Sequence, residues 1–309
     1  MIELKLMVRR FTRVVLTTVM AAFVSGCAVS QKTAVKPSAA SVPRQSATKT
    51  QLIAQYNRLA NAITSLNASV TIKLSAGSAY TGVIEQYHEV SGFILAQRPM
   101  SIRVIGQAPI VGKSIFDMES DGETFHIFIP SKNQFVVGQA NLERPSTKPI
   151  ENLRPQHLID AIFWQAIPET DPVLFEEANE ATASYYVLTA VRQSRTGDTH
   201  LEGAAGPADW EIARKTWFDR ADLNIARIEA YDSAGKLSSD IRYTGWDTFG
   251  TTRYARQILL SRPSNDYQLQ LRIIKLAVNE PIAAERFELN QPPGTELVRV
   301  GAGRREPQP

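Results

Sequence analysis

The side chains able to do covalent or acid–base chemistry are few and scattered in this chain. Cys27 is the one cysteine among 309 residues, which rules out an internal disulfide or a metal site built on several cysteines. The histidines are His88, His126, His157 and His200, and no two are three or four residues apart, so a helical two-histidine metal site is excluded. His126 lies in a strand pattern with Phe125 and Phe128 and reads as structural, while His157, at a helix start, is expected to face solvent. The sequence has no G-x-S-x-G elbow, no G-x-x-x-x-G-K-[ST] phosphate loop and no G-x-G-x-x-G dinucleotide turn. The carboxylate neighbours Asp117/Glu119 and Glu176/Glu177 are expected to be solvated; carboxylates that meet only in space would escape such a reading. Trp164, Trp210, Trp217 and Trp246 offer either cavity lining or ordinary core and rim. No catalytic residue, metal or diffusible cofactor is assigned, and the expectation is a protein that is not an enzyme.

The cysteine gains meaning from what precedes it. Lys5, Arg9, Arg10 and Arg13 make a basic start, and Val14 to Phe23 is an apolar run too short to span a bilayer. Val24, Ser25 and Gly26 then lead to Cys27. This resembles the bacterial lipobox, in which a signal peptidase cuts before a cysteine whose thiol takes up diacylglycerol. The resemblance implies a signal peptide over 1–26 and a mature N-terminus carrying diacylglycerol and an N-acyl chain on Cys27. Two or three acyl chains anchor stably where one holds only marginally, at about 0.8 kcal/mol per buried methylene. Cys27 is followed by Ala28 and Val29 rather than by the aspartate that retains such proteins in the inner membrane, so the expected location is the outer membrane, facing the periplasm.

Removing the leader's four basic residues and one acidic residue from totals of 34 and 31 leaves thirty of each. The positive balance is thus a targeting feature, and nucleic acid is not an expected partner. Residues 27–49 are rich in Ser, Ala, Lys and Pro and read as a lipidated flexible tether. A folded domain is expected over 50–300, followed by a disordered tail over 301–309.

The elements that must position any site follow from periodicity. Leu52, Tyr56, Leu59, Ile63 and Leu66 recur at helical spacing, and a second helix fits "RPQHLIDAIFWQAI", with Leu158, Ile162 and Ala166 on one face. Elsewhere the period is two, through eleven or twelve short strands separated by turn residues such as Asp121-Gly122 and Pro263-Ser264-Asn265. So long an antiparallel series must curl as its twist accumulates. The fold class is therefore mainly β: a curved, open antiparallel half-barrel of about 11 strands, with amphipathic helices covering its concave face. A space between helices and sheet would suit an apolar ligand.

Within this frame, "GFILAQRPMSIRVIGQAP", "SDGETFHIFIPSKNQFVVG" and "RFELNQPPGTELV" resemble the lipoprotein-localisation carrier and receptor fold, the LolA/LolB-like proteins, over roughly 51–300. The resemblance implies that Arg98, of the Arg98-Pro99 pair, latches a helical lid over the cavity. A guanidinium, with five donors in a fixed fork, suits that task. It also implies that the loop "GQAPIVGKS" presents Ile110 and Val111 to membrane or cargo. The function implied is to bind acyl chains of a lipid or an acylated lipoprotein and aid their transfer or insertion at the outer membrane. A periplasmic carrier protein is a further implied partner. The alternatives are an envelope protein-binding or stress-sensing module, or a scaffold subunit, on the same fold.

Overall fold

In the computed structural model, residues 43–77, 84–108, 112–140, 152–180, 182–193 and 210–300 are described. Cys27, Ile110, Val111, His200, the 196–198 turn and the 301–309 tail lie outside them.

Helix α1 (Lys49–Ala62) opens with a reciprocal cap, in which Thr48 accepts from the Gln51 amide and the Gln51 side chain accepts from the Thr48 amide. It buries Leu52, Tyr56 and Ala60. Ile63 is already extended and Leu66 belongs to the following strand, so the helical spacing ends one turn earlier than the sequence suggests. Gln45 donates from its amide to Arg220 O and from its side chain to Ala221 O, so the chain is seated on the sheet before the helix begins.

Strands β1 (Ser65–Ala76), β3 (Val90–Gln97), β4 (Ser101–Gln107), β5 (Ser114–Ser120), β6 (Thr124–Ile129) and β7 (Gln134–Gln139) form one meander, with the two-residue β2 (Glu85–Gln86) beside β1. The chain then carries helix α2 (Pro155–Ile162) to the opposite edge of the sheet. A second meander returns through β8 (Val173–Asn179), β9 (Ser184–Gln193), β10 (Trp210–Asp219), β11 (Ile225–Tyr231), β12 (Leu237–Phe249), β13 (Thr252–Arg262) and β14 (Tyr267–Val278). The meanders fuse where β14 pairs with β1, from Leu66 opposite Val278 to Ala76 opposite Tyr267. The last segment crosses to the far edge, where β15 (Glu296–Val300) pairs in parallel with β7. The result is one large, open, curved sheet of 15 strands, antiparallel apart from the β15–β7 pair.

All twelve strands legible in the sequence are present. The three added ones are β2, β8 and β15. β2 is too short for a period, β8 is an edge strand with little burial to impose one, and β15 is held by parallel pairing to a distant strand.

One face of the sheet carries the core. Val70 and Ile72 of β1, Ile94 of β3, Ile102 and Val104 of β4, Leu188 of β9, Ile258 of β13 and Leu271 of β14 are all buried there with the helices' apolar faces. On the opposite face Arg103 holds the returning segment. It makes a bidentate pair with Asp117 and donates to Arg286 O and Glu288 O.

Gly92 of β3 marks a close approach. A Cβ built there falls 2.5 Å from the Ile105 carbonyl oxygen, a backbone atom that cannot swing aside. Gly92→Ala is expected to cost about 1–3 kcal/mol in urea unfolding, through overpacking of the β3–β4 pair. A loss under half a kcal/mol would mean the strands separate more easily than this geometry implies.

Candidate functional site

The two helical segments lie on the concave face, and a set of polar side chains rising from the sheet holds them there. Helix α2 starts with Pro155 in its first turn and stops at Ile162, where Phe163 turns extended. Ala166 is therefore past the helix and exposed, contrary to the helical face expected for it.

A helix end leaves its last carbonyls without intrahelical donors. Here the sheet supplies them. Tyr243 Oη of β12 donates to Ala161 O at 3.0 Å, and Tyr254 Oη of β13 donates to Ile162 O at 2.7 Å. Arg98, at the end of β3, donates to Trp164 O at 2.8 Å, and Arg214 of β10 donates to Gln165 O at 3.1 Å. Asn57 of α1 completes the set by accepting from Ile167 N and donating to Ile167 O, both at 2.8 Å. Five side chains, from three strands, the residue just past β3 and a helix, thus pin one seven-residue stretch.

Arg98 does more than the others. Its Nε donates to Ile63 O and its Nη2 to Ala60 O, so one guanidinium joins the end of α1 to the segment after α2. It also stands over the Phe163 ring, 4.9 Å from the centroid. Burial lowers its pKa from the usual arginine value, with nearby Tyr56 acting in the opposite direction; the group remains a cation. Burial pushes the Tyr243 and Tyr254 hydroxyls up, which keeps both protonated as donors.

Within this clasp Trp164 fills the middle of the concave face, 3% exposed. Its ring lies 5.5 Å from Tyr254, 5.7 Å from Tyr243 and 5.8 Å from Trp246, centroid to centroid. Tyr56 is fully buried beside Phe218, and the Arg214 guanidinium stands over it. The expected space between lid and sheet is thus occupied, at the described residues, by the lid's own side chains. The Tyr56 hydroxyl is enclosed with no hydrogen-bond partner.

Asp117 is spent on Arg103, Glu119 on His126, Glu176 on Thr189 and Glu177 on Arg220, so these carboxylates serve cross-strand pairs rather than facing each other. His126 is structural, bonded to Glu119 and stacked on Phe135.

His157 is not the solvated residue expected at a helix start. It is largely enclosed, bonded through Nδ1 to the Tyr267 hydroxyl and stacked on that ring. The clasp residues Tyr243, Tyr254, Arg214 and Asn57 were not singled out by sequence reasoning. The signal for the tyrosines was available: a tyrosine on the apolar face of a strand must find an acceptor for its hydroxyl.

No protein-family profile matches the chain, and no curated protein matches it in sequence. Among solved structures it is similar to a LolA superfamily protein from Nitrosomonas europaea, at 12% identity and a TM-score of 0.46, over 79% of this chain and 99% of that one. It is also similar to a DUF1329 family protein from Desulfovibrio piger, at 10% identity and a TM-score of 0.46, over 77% and 94% of the two chains. A third similar structure is a putative outer membrane lipoprotein-sorting protein domain from Vibrio parahaemolyticus, at 11% identity and a TM-score of 0.44, over 76% and 94%.

His157 gives the site a pH signature. Burial, then the charges of Arg262 and Arg154, push its pKa down to about 3, so it is neutral in the fold. The unfolded chain binds this proton near pH 6.5. Its contribution to stability is therefore full above about pH 6.5 and shrinks as pH falls towards 3, by at most about 1.4 kcal/mol per pH unit. His157→Gln is expected to flatten that part of the stability profile in urea titrations from neutral to acid pH. An unchanged slope would place the acid sensitivity in other groups.

Proposed function

We propose that this protein is an outer-membrane-anchored envelope lipoprotein that receives acyl chains beneath its helical lid and aids their transfer or insertion at the membrane. The observation that carries the reading is the clasp. An apolar concave face is roofed by segments whose attachment runs through replaceable hydrogen bonds to backbone carbonyls. Lifting the segment that bears Trp164 would open the apolar floor to a hydrocarbon chain. The enclosed Tyr56 hydroxyl adds support, since an ester or amide carbonyl of an acyl ligand is the acceptor it lacks. In this reading Arg98 is the principal latch, diacylglycerol and an N-acyl chain on Cys27 fix the protein to the bilayer, and Ile110 and Val111, between β4 and β5 in the sequence, meet the membrane.

The same filled interior favours a second reading, a protein-binding or sensing module that needs no cavity. Detergent-free purification of residues 28–309, followed by lipid extraction and mass spectrometry, separates the two. Stoichiometric acyl ligand is expected, and none would favour the second reading. Arg98→Ala is expected to speed uptake of a fluorescent acyl probe about tenfold or more, since charged hydrogen bonds contribute about 1.5–3 kcal/mol each. Unchanged uptake and unchanged hydrogen exchange at 161–167 would remove Arg98 from the latch.

The membrane tip has its own measurement. Ile110→Glu with Val111→Glu is expected to weaken partition of the anchor-free protein onto phospholipid vesicles by about tenfold, through lost apolar insertion. Equal partition of variant and parent would assign membrane contact elsewhere.

A further inference from the structure

A second concavity, sharing Tyr243 and Trp246 with the surroundings of the clasp, lies where β12 runs past the end of β11. Pairing between these strands stops at Arg227 opposite Arg242, while β12 continues along β13 as far as Phe249 opposite Thr252. The step leaves a cleft of about 450 Å³, walled by Tyr185, Trp217, Trp246 and the turn that joins β10 to β11. That size falls within the range of small-molecule sites.

Its walls combine two chemistries. Tyr185 and Trp217 meet at 80° with centroids 5.7 Å apart, making an apolar corner. Around that corner stand groups with hydrogen-bonding capacity left over. Arg242 keeps 55% of its side chain in solvent and reaches Asp240 only at 3.6 Å, and the Glu180 carboxylate and the Thr244 and Tyr185 hydroxyls make no hydrogen bond among the described residues. Arg227, by contrast, is paired closely with Asp240 and Glu229. Glu180, Tyr185, Arg242 and Thr244 all line this one cleft.

We propose that this cleft is a binding site for a neutral sugar, one or two rings of an oligosaccharide. A hydrocarbon chain would strip water from Glu180 and Arg242 and return nothing. An anion would meet three carboxylates in the lining, and a cation would meet two guanidiniums. A sugar ring avoids both costs. Its C–H face lies against an aromatic ring, and its hydroxyls, each donor and acceptor, answer Arg242, Glu180, Tyr185 and Thr244 together. The proposal does not rest on the acyl reading, although Tyr243 and Trp246 belong both to this lining and to the surroundings of Trp164.

The test titrates the mature protein, extracted from membranes in detergent, with two neutral probes, an N-acetylglucosamine tetramer and cellotetraose. Tryptophan fluorescence and saturation-transfer NMR are the readouts. At least one probe is expected to bind saturably at millimolar concentration or below. Arg242→Ala and Thr244→Val, both at exposed positions, are expected to weaken it about tenfold, whereas Lys132→Ala, on a distant hairpin, leaves it unchanged. Absence of saturable binding by either probe overturns the proposal. So does binding indifferent to Arg242→Ala and Thr244→Val, or competition by inorganic phosphate or laurate.

Discussion

A helix of eight residues laid on an apolar sheet has an electrical problem at its end, and the architecture turns on how that is met. While that of Gln165 lies at the exposed rim, the carbonyls of Ala161, Ile162 and Trp164 point towards a surface from which water is excluded. Unpaired, each would cost about 1–3 kcal/mol. The sheet answers with donors that can rise from an apolar floor without breaking it: two tyrosines, mostly ring, and two arginines with long stems. The lid is thereby fixed in position and register, and Trp164 is carried into the centre of the concave face.

The donors come from both meanders, so the clasp depends on the β1–β14 seam. Arg98 belongs to the first meander, while Arg214, Tyr243 and Tyr254 belong to the second. If β14 did not pair with β1, the two sets would not converge on one segment. The seam is reinforced where the lid begins. Asn279, just past β14, accepts from Thr64 N and donates to Ala62 O, tying the end of α1 to the end of the last long strand. From there the chain crosses to the far edge, held by Arg103 and by the parallel β15–β7 pair. Asn279 thus ties the seam to the end of α1, and Arg103 with the β15–β7 pair holds the returning segment.

Local pattern carried the strands well because alternation is imposed by burial on one face. In β14, Tyr267, Leu269, Leu271 and Ile273 are buried and the residues between them are exposed. Where burial is weak the pattern fails, as in β8, whose Leu174 and Phe175 lie exposed at an edge. Arg98 was legible only through the Arg-Pro motif that the family resemblance supplied. Nothing in its neighbourhood in sequence shows that Ala60, Ile63 and Trp164 would come within reach. Arg214 was invisible for the same reason, its partner lying 49 residues away; for Tyr254 the need for an acceptor was legible, but not which carbonyl, 92 residues away, would meet it. The helix boundaries missed by a turn because Ile63, Leu66 and Phe163 stay buried after the helical path ends, so apolar spacing outlives the helix.

The filled interior and the acyl-carrier reading are compatible only if a ligand can offset what the lid gives up. The six hydrogen bonds onto residues 161–167, about 0.5–1.5 kcal/mol net each and more for the two from arginines, set the polar cost at several kcal/mol. Exposing Trp164 and its neighbours adds about 1.5–3 kcal/mol for each large side chain. A chain of about a dozen methylenes returns about 0.8 kcal/mol for each one buried, of order 10 kcal/mol in all. These terms are of the same size and opposite sign. A lid held by packing alone would lose little by opening onto another apolar surface and would not close decisively when empty. One held by many charged pairs would not open for a hydrocarbon chain. Polar clamps on backbone carbonyls around one large aromatic plug fall between these limits, where loading and release can both run without an energy source.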